Sequence, residues 1–227
     1  MKRLRVRPVL GLAVLATVLA TGAALADPQR APGVSRLSDP RVLLLPAQVE
    51  VWEIATTWFG VLKPEPTLNA RRYTQAAIER ELRHGRVVLV PYTASADPER
   101  NDRHLALLNL HAMIRREVLG QEANPLNRLP SKRGRLEWSV GPGMAAFRED
   151  SSGARHALLL ELTARRMVGG QHATLAALGS DRLIGSASLV DLNTGDIVWF
   201  NSERGGSLDT EGETSSFMKR LLHDMPF

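Results

Sequence analysis

Cysteine is absent from this chain of 227 residues, and its absence excludes three kinds of protein chemistry. No disulfide framework can support the fold, so a hydrophobic core must stabilise it. A cysteine nucleophile is excluded, and so is lipid attachment of the bacterial lipoprotein type, which needs a cysteine at the first mature position. The sequence also lacks a Gly-x-Ser-x-Gly elbow and any His-x-x-x-His or His-Glu-x-x-His pair. We therefore predict a protein without catalytic residues, cofactor or metal site.

The first 26 residues have the three parts of a bacterial export signal. A basic start is followed by an apolar run over residues 9–20 and by the small-x-small sequence Ala24-Leu25-Ala26. Because the apolar run is short for a membrane span, cleavage between Ala26 and Asp27 is predicted in preference to an uncleaved anchor. We expect a periplasmic mature protein with no stable membrane span.

Residues 27–227 carry almost no excess of positive over negative charge. The formal net charge falls from +5 to +1, because residues 1–26 hold four basic residues and no acidic one. Nucleic-acid binding needs clustered lysine and arginine that displace counterions from phosphates. A nearly neutral domain does not supply them, so nucleic acid is not expected as a partner.

The mature part is predicted to be one domain over residues 41–227, because about 200 residues can bury a sufficient core. Residues 27–40 hold three prolines and no apolar periodicity, which predicts an extended leader. Apolar and β-branched runs predict strands at residues 42–45, 49–54, 87–91 and 156–162. The first and third runs are continuously apolar, which is typical of strands buried on both faces.

Three segments have features of helices, and one has features of a turn. Residues 69–84 carry an apolar stripe, and Gly85 stands where a left-handed C-terminal cap would lie. Asp97-Pro98 is an N-cap followed by proline, and it starts a long helix predicted to end at Gly120. A short helix is expected at residues 144–149. Pro64-Glu65-Pro66 is predicted to form a turn.

The C-terminal part has the clearest pattern. Strand-like runs at residues 183–192 and 197–201 flank Asn193-Thr194-Gly195, a loop that predicts a β-hairpin. Thr210-Glu211-Gly212-Glu213 has the form of a capping box and predicts a final helix. The elements together predict an α/β (α+β) fold, with a mixed β-sheet flanked by helices, a C-terminal β-hairpin and a closing helix.

Two motifs resemble ligand sites, and each has a simpler interpretation. Gly141-Pro142-Gly143-Met144-Ala145-Ala146 matches a dinucleotide fingerprint with Glu161 as the ribose-binding acid. No buried strand precedes it, which favours a glycine-proline turn that opens a helix. Asp191-Leu192-Asn193-Thr194-Gly195-Asp196 is similar to a calcium loop, but its glycine is fifth instead of sixth and Ser202 replaces the closing glutamate. A turn stabilised by Asp and Asn side chains is favoured.

Neither the histidines nor the basic residues form a recognisable site. His104 and His111 share a helix face, but two helical turns separate them by about 10 Å, too far to hold one ion without other ligands. They are predicted to be solvated or half-buried. A basic stretch could meet an anionic envelope component, although a solvated loop is favoured. It consists of Arg128, Lys132, Arg133 and Arg135.

Residues 41–47, 156–162 and 186–199 together resemble the CsgG-like and TolB-N-terminal-like group of bacterial envelope proteins. That group pairs an opening strand ending in Val-Leu-Pro with a late strand-turn-strand that ends in tryptophan, here Trp199, and is followed by a helix. The resemblance implies an envelope accessory or assembly protein without known catalytic residues. This chain lacks the lipobox cysteine and the membrane hairpin strands of pore-forming members, so pore formation is not expected and no functional residue is carried over.

The predicted function is a non-catalytic periplasmic module that binds another envelope component, either a protein or an anionic component. A second hypothesis is a periplasmic hydrolase whose site is assembled from Ser, His and Asp residues that are distant in the sequence. Self-association into a homo-oligomer is a third.

Overall fold

The computed structural model describes residues 27–56, 59–85, 87–123, 129, 132, 135–149, 151–167 and 183–227. The strands, in chain order, are β1 (Gln29–Arg30), β2 (Arg41–Leu44), β3 (Gln48–Thr56), β4 (Phe59–Leu62), β5 (Val88–Pro91), β6 (His156–Met167), β7 (Leu183–Asp191) and β8 (Ile197–Arg204). The helices are α1 (Pro64–His84), α2 (Pro98–Ala123), a 3₁₀ helix (Pro142–Phe147) and α3 (Glu211–Leu221).

The strands form one mixed sheet in the order β1-β8-β7-β6-β2-β5, and β3 carries β4 as a side extension. β6 is the longest strand and has two parallel neighbours in series along one edge. β2 pairs with its first part, with Val42 opposite His156, and β3 pairs with its second part, with Gln48 opposite Glu161. β7 pairs antiparallel along the other edge of β6.

The two faces of the sheet bury separate cores, because side chains alternate between the faces of each strand. One core joins Leu158, Leu160 and Trp199 to apolar residues of α1 and α3, such as Ile78 and Phe217. The other core lies under α2 and the 3₁₀ helix, and its buried residues include Leu43, Leu159, Val190, Met144 and Phe147. The mixed sheet with flanking helices, C-terminal hairpin and closing helix confirms the predicted fold class.

The helix ends agree with the sequence prediction in part. Asp97 accepts a hydrogen bond from the backbone N–H of Glu99 at 3.0 Å, as an N-terminal cap does. The capping box at α3 is confirmed, since Thr210 Oγ1 accepts a hydrogen bond from the backbone N–H of Glu213. The left-handed cap at Gly85 is wrong, because its φ is −77°. α2 continues past Gly120 to Ala123.

Two further expectations need correction. Pro64 does not make a turn after a strand but begins α1, where its missing N–H costs no helix hydrogen bond. The segment 87–91 is not buried on both faces. β5 pairs only with β2, so it is an edge strand, and 53% of Val88 is exposed.

The predicted leader lies against the domain. Within residues 27–40, β1 pairs antiparallel with β8, with Arg30 opposite Trp199. Leu37 N–H also donates a hydrogen bond to the carbonyl of Pro226 at 2.7 Å. Residues 29–30 therefore form one border of the sheet.

Candidate functional site

A polar layer separates the C-terminal half of α2 from the sheet. It consists of Arg115, His111 and Glu122 of α2 together with Gln29, Glu161, Ser186 and Ser202 of the sheet. Elsewhere along α2 the contact with the sheet is apolar and includes Leu43 and Leu159, whereas here it is polar. Burying so many polar groups is unfavourable unless they are paired with one another.

The centre of the polar layer is a salt bridge between Arg115 and Glu161. Both side chains are largely buried, and Arg115 Nη1 also lies 3.4 Å from the hydroxyl of Ser186. Burial raises the pKa of the Glu161 carboxyl and lowers the pKa of the Arg115 guanidinium, and each charge partly offsets the shift of the other. The attraction between the two charges offsets the unfavourable free energy of removing each of them from water.

Glu122 forms a second polar contact about two helical turns further on. One of its carboxylate oxygens accepts a hydrogen bond from Gln29 at 2.6 Å, and the other accepts one from Ser202 at 2.9 Å. Burial raises the pKa of Glu122. Through this carboxylate, α2 is joined to both β1 and β8.

His111 lies beside the salt bridge and is almost completely buried. Its Nε2 has no hydrogen-bond partner among the described residues. Together with Gln48 and Glu161 it lines a cavity of about 10 Å³, which is room for about one water molecule. Burial, together with the charge of Arg115, lowers the pKa of His111 to about 4.

His111 is expected to make the protein sensitive to mild acid. The unfolded state protonates this ring near pH 6.5 and the folded state only near pH 4. The free energy of unfolding is therefore undiminished above pH 6.5 and falls as the pH drops toward 4, by on the order of 3 kcal/mol at most. The raised pKa values of Glu161 and Glu122 act in the opposite direction, because the folded state then binds their protons more tightly.

Urea unfolding of wild type and His111→Leu between pH 7.5 and pH 4.5 isolates this effect. The variant should lose less stability with falling pH than wild type, whereas replacing the exposed His84 by leucine should leave the profile unchanged. Identical profiles for wild type and His111→Leu would show that another group causes the acid sensitivity.

The tip of the β7–β8 hairpin is a second rigid polar region. Asp191 Oδ1 accepts hydrogen bonds from the backbone N–H groups of Asn193 and Thr194. The carboxylate thus stabilises the turn, as the sequence predicts. Gly195 has a φ of +77° and lies against the backbone of Gly141.

His156 and Asp191 lie next to each other beside this turn. The distance from His156 Nε2 to Asp191 Oδ2 is 3.9 Å. His156 is buried, and burial lowers its pKa. In the part of the chain that the structure describes, no serine hydroxyl lies within hydrogen-bond distance of either nitrogen of this ring.

A third feature is the free side of β4, which carries exposed apolar side chains on both faces. We call it the β4 edge: Leu62 lies with Trp52 and Ile54 on one face of the β3–β4 ribbon, and Val61 lies opposite Glu53 on the other face. Val61 is 61% exposed and Leu62 is 41% exposed. Ile54 and Trp52 pack across Gly60, where a Cβ atom would lie 2.6 Å from Ile54 Cδ1. β4 pairs only with β3, so its outer main-chain groups have no strand partner among the described residues.

The motifs singled out in the sequence do not meet in one site. Gly141 caps the 3₁₀ helix and Pro142 to Ala146 form most of it, whereas Glu161 pairs with Arg115 under α2. The prediction of solvated or half-buried histidines is wrong for His104 and His111. Both are buried, because the helix face that they share is the face packed on the sheet. Among the described residues, no three His, Asp or Glu side chains are placed to share a metal ion.

The remaining predicted residues lie partly outside the described part of the chain. Arg128, Arg133 and the predicted cleavage site at Ala26 are outside it, and Asp27 is exposed. Lys132 lies over the ring of Trp138, 4.8 Å from its centre, and Arg135 pairs with Glu137 at 3.0 Å. None of the helices in the described part combines the length and apolar character that a membrane span requires.

Sequence reasoning missed Arg115 and the β4 edge. A signal for the first was an arginine four residues after His111 on the face of α2 that carries Val118. The isolated Glu161 in an otherwise apolar strand marked its partner. No comparable signal existed for β4, because its four residues are too few for a periodic pattern.

Comparison with known proteins adds little to this description. No protein-family model matches the chain, and no curated protein matches it. Among solved structures, a PelC dodecamer from Paraburkholderia phytofirmans with a leucine-to-methionine substitution is 12% identical, covers 88% of this chain and 95% of its own, and has a TM-score of 0.39. A second PelC dodecamer from the same organism is 13% identical over 86% of this chain and 91% of its own, with a TM-score of 0.36. Similarity at this level does not establish a common fold or function.

Proposed function

We propose that this chain is exported, loses residues 1–26 and acts as a non-catalytic module that binds another envelope protein through the β4 edge. One observation carries the proposal: an uncharged edge strand exposes Val61 and Leu62 and has no partner for its outer main-chain groups among the described residues. The resemblance to the CsgG-like and TolB-N-terminal-like group is in line with this role and stays a prediction.

An extended segment of a protein is the partner that suits the β4 edge. Natural sheets protect free edges with charged side chains, prolines or covering elements. The sequence of β4, Phe-Gly-Val-Leu, has neither charge nor proline, and the adjacent Lys63 is engaged with Glu53 at 3.0 Å. An added strand would pair with the free main chain and cover the apolar side chains. Four residues offer few hydrogen bonds, so the affinity should be modest.

The polar layer supports a structural role for the buried charged groups. Arg115 pairs with Glu161, and Glu122 is held by Gln29 and Ser202. The cavity beside His111 has room for about one water molecule and none for a substrate. A catalytic site would instead need a pocket that a substrate can enter.

The alternative function is a hydrolase, and the His156–Asp191 neighbours are the observation that favours it. Their burial argues against it, because a general base must reach the proton that it removes. Hydrolysis of ester or amide substrates that is abolished by His156→Gln would favour the enzyme over the binding module.

The binding role is tested by a matched pair of edge substitutions. Val61→Lys adds a charge to the β4 edge, and Val88→Lys adds the same charge to a different edge strand, β5. Each protein is expressed as the full chain in a bacterium, recovered, and used to capture partners from envelope extract. The captured protein is then identified and purified. We expect the purified partner to bind wild type and Val88→Lys with equal affinity. It should bind Val61→Lys at least tenfold more weakly, because a lysine at this position disrupts the contact between the partner and β4.

Three results would contradict the proposal. The first is a wild-type protein that captures no partner above background, and the second is a purified partner that binds Val61→Lys as well as wild type. The third concerns export: recovery of the chain from the cytosol with Met1 still attached would remove the envelope location.

A further inference from the structure

The outward face of α2 carries an apolar stripe that the described chain leaves uncovered. Leu105, Leu110 and Met113 are 57%, 41% and 64% exposed. At about 100° per residue they span about 140° of the helix circumference, centred opposite His104 and His111, which face the sheet. The exposed Ala106 and Asn109 lie between them and are small enough to let another backbone approach. This surface lies on the sheet face opposite α1 and is separate from the β4 edge.

Charged residues lie at both ends of the stripe. The acidic residue comes before the basic one at the N-terminal end and after it at the C-terminal end. Asp102 and Arg103 lie at its N-terminal end, and Arg116 and Glu117 lie at its C-terminal end. Asp102, Arg103 and Glu117 are exposed and form no salt bridge within the described part of the chain. Each end therefore presents one acidic and one basic side chain for a partner.

We propose that the stripe binds a second copy of this chain, with the two α2 helices antiparallel about a two-fold axis at Asn109. In this register each Leu105 lies at the same height as Met113 of the other copy, because the two residues are equally distant from Asn109 in the sequence. Asp102 is brought opposite Arg116, and Arg103 lies within about half a helical turn of Glu117. A parallel pair would place like charges together at both ends.

The size of the stripe sets the strength of the association. The charged ends are about 21 Å apart along the helix, from 14 residues at 1.5 Å each. One helix pair of this length buries less than the roughly 1,200–2,000 Å² of a stable interface. We therefore expect a weak dimer, with a Kd on the order of 0.1 mM. This inference goes beyond the proposed function, since it needs neither an envelope partner nor the β4 edge.

Sedimentation equilibrium of the recovered protein over a range of concentrations tests the dimer. Wild type should dimerise, Met113→Glu should stay monomeric, and Leu68→Glu should behave as wild type. Leu68 is the matched control because it is 63% exposed on α1, at the opposite face of the sheet. Circular dichroism confirms that each variant is folded. A wild-type monomer at every concentration up to about 1 mM, or a dimer that survives Met113→Glu, would overturn the proposal.

Charge exchange tests the antiparallel arrangement. Arg103→Glu and Glu117→Arg should each weaken dimerisation about tenfold, because each change creates like-charge contacts at both ends. The double variant should recover most of the wild-type affinity. These residues are preferable to Arg116, whose charge also acts on Arg115 and Glu161. A double variant as weak as the single variants would show that the two helices are not paired in this way.

The absence of cysteine permits a direct test of the axis. Asn109→Cys places one thiol from each copy at the proposed two-fold axis, and mild copper-catalysed oxidation should join them into a disulfide-linked dimer. Leu68→Cys, treated in the same way, should remain monomeric. Equal crosslinking of the two variants would count against the α2 interface.

Discussion

Replacing Glu161 by leucine is expected to lower the free energy of unfolding by about 3–5 kcal/mol. The substitution removes the carboxylate but leaves the Arg115 guanidinium under α2, where Ser186 is its other described partner. A buried charge without its counter-ion must be either solvated by partial opening or left uncompensated. In both cases the contact between α2 and the sheet weakens.

The double variant Arg115→Met and Glu161→Leu distinguishes charge from packing. It removes both charges and retains apolar volume, so most of the lost stability should return. Urea unfolding of wild type, Arg115→Met, Glu161→Leu and the double variant measures the coupling free energy between the two residues. Glu79→Leu is the surface control, because its ion pair with Arg83 is exposed and should contribute less than about 1 kcal/mol. A Glu161→Leu variant as stable as Glu79→Leu would mean that Arg115 finds another partner.

Replacing Gly195 by alanine should be severely destabilising, with a loss of more than about 4 kcal/mol or a failure to fold. The alanine Cβ would lie 2.0 Å from the carbonyl oxygen of Gly141, and a φ of +77° is unfavourable for alanine. The hairpin tip could relieve the clash only by moving away from the 138–141 segment. That movement would break the hydrogen bonds from Val140 N–H to the Gly195 carbonyl and from Ile197 N–H to the Trp138 carbonyl, both 2.8 Å long.

Gly205 is the control that separates the close contact from the backbone conformation. Its φ is +79°, almost the same as at Gly195, but a Cβ atom there would meet nothing within 4 Å. Gly205→Ala should therefore cost only the conformational penalty of about 1–2 kcal/mol. Thermal and urea unfolding of both variants should give a clear difference. If both lose the same amount, the contact with Gly141 is not a constraint on the fold.

The sequence predicted those parts of the fold that depend on neighbouring residues. The hairpin at Asn193-Thr194-Gly195 and the capping box at Thr210 are encoded within a few residues, and both are present. The partnership of Arg115 and Glu161 was not predictable, because 46 residues separate them and only the packing of α2 on the sheet brings them together. Val88 was predicted to be buried because an apolar run does not show whether a strand lies at the centre or the edge of a sheet.

Histidines in a helix do not by themselves show which face of the helix is buried. The periodicity of α2 placed His104 and His111 on one face but did not show that this face is the buried one. Exposed leucines and a methionine on the opposite face made the two sides similar in hydropathy. An apolar outer face of this kind is a cost for a monomer in water and becomes favourable when a partner covers it.

The arrangement around β6 has a consequence for the order in which the chain can fold. β2 and β3 are near the N-terminus, but their parallel partner lies more than a hundred residues later. During vectorial emergence, from a ribosome or a translocon, these first strands have no central neighbour until residue 156 and beyond have appeared. Contacts so distant in sequence make folding slow, and early apolar strands are exposed meanwhile. A chain interrupted before β6 therefore lacks the strand that joins its two halves and would be a substrate for chaperones or proteases.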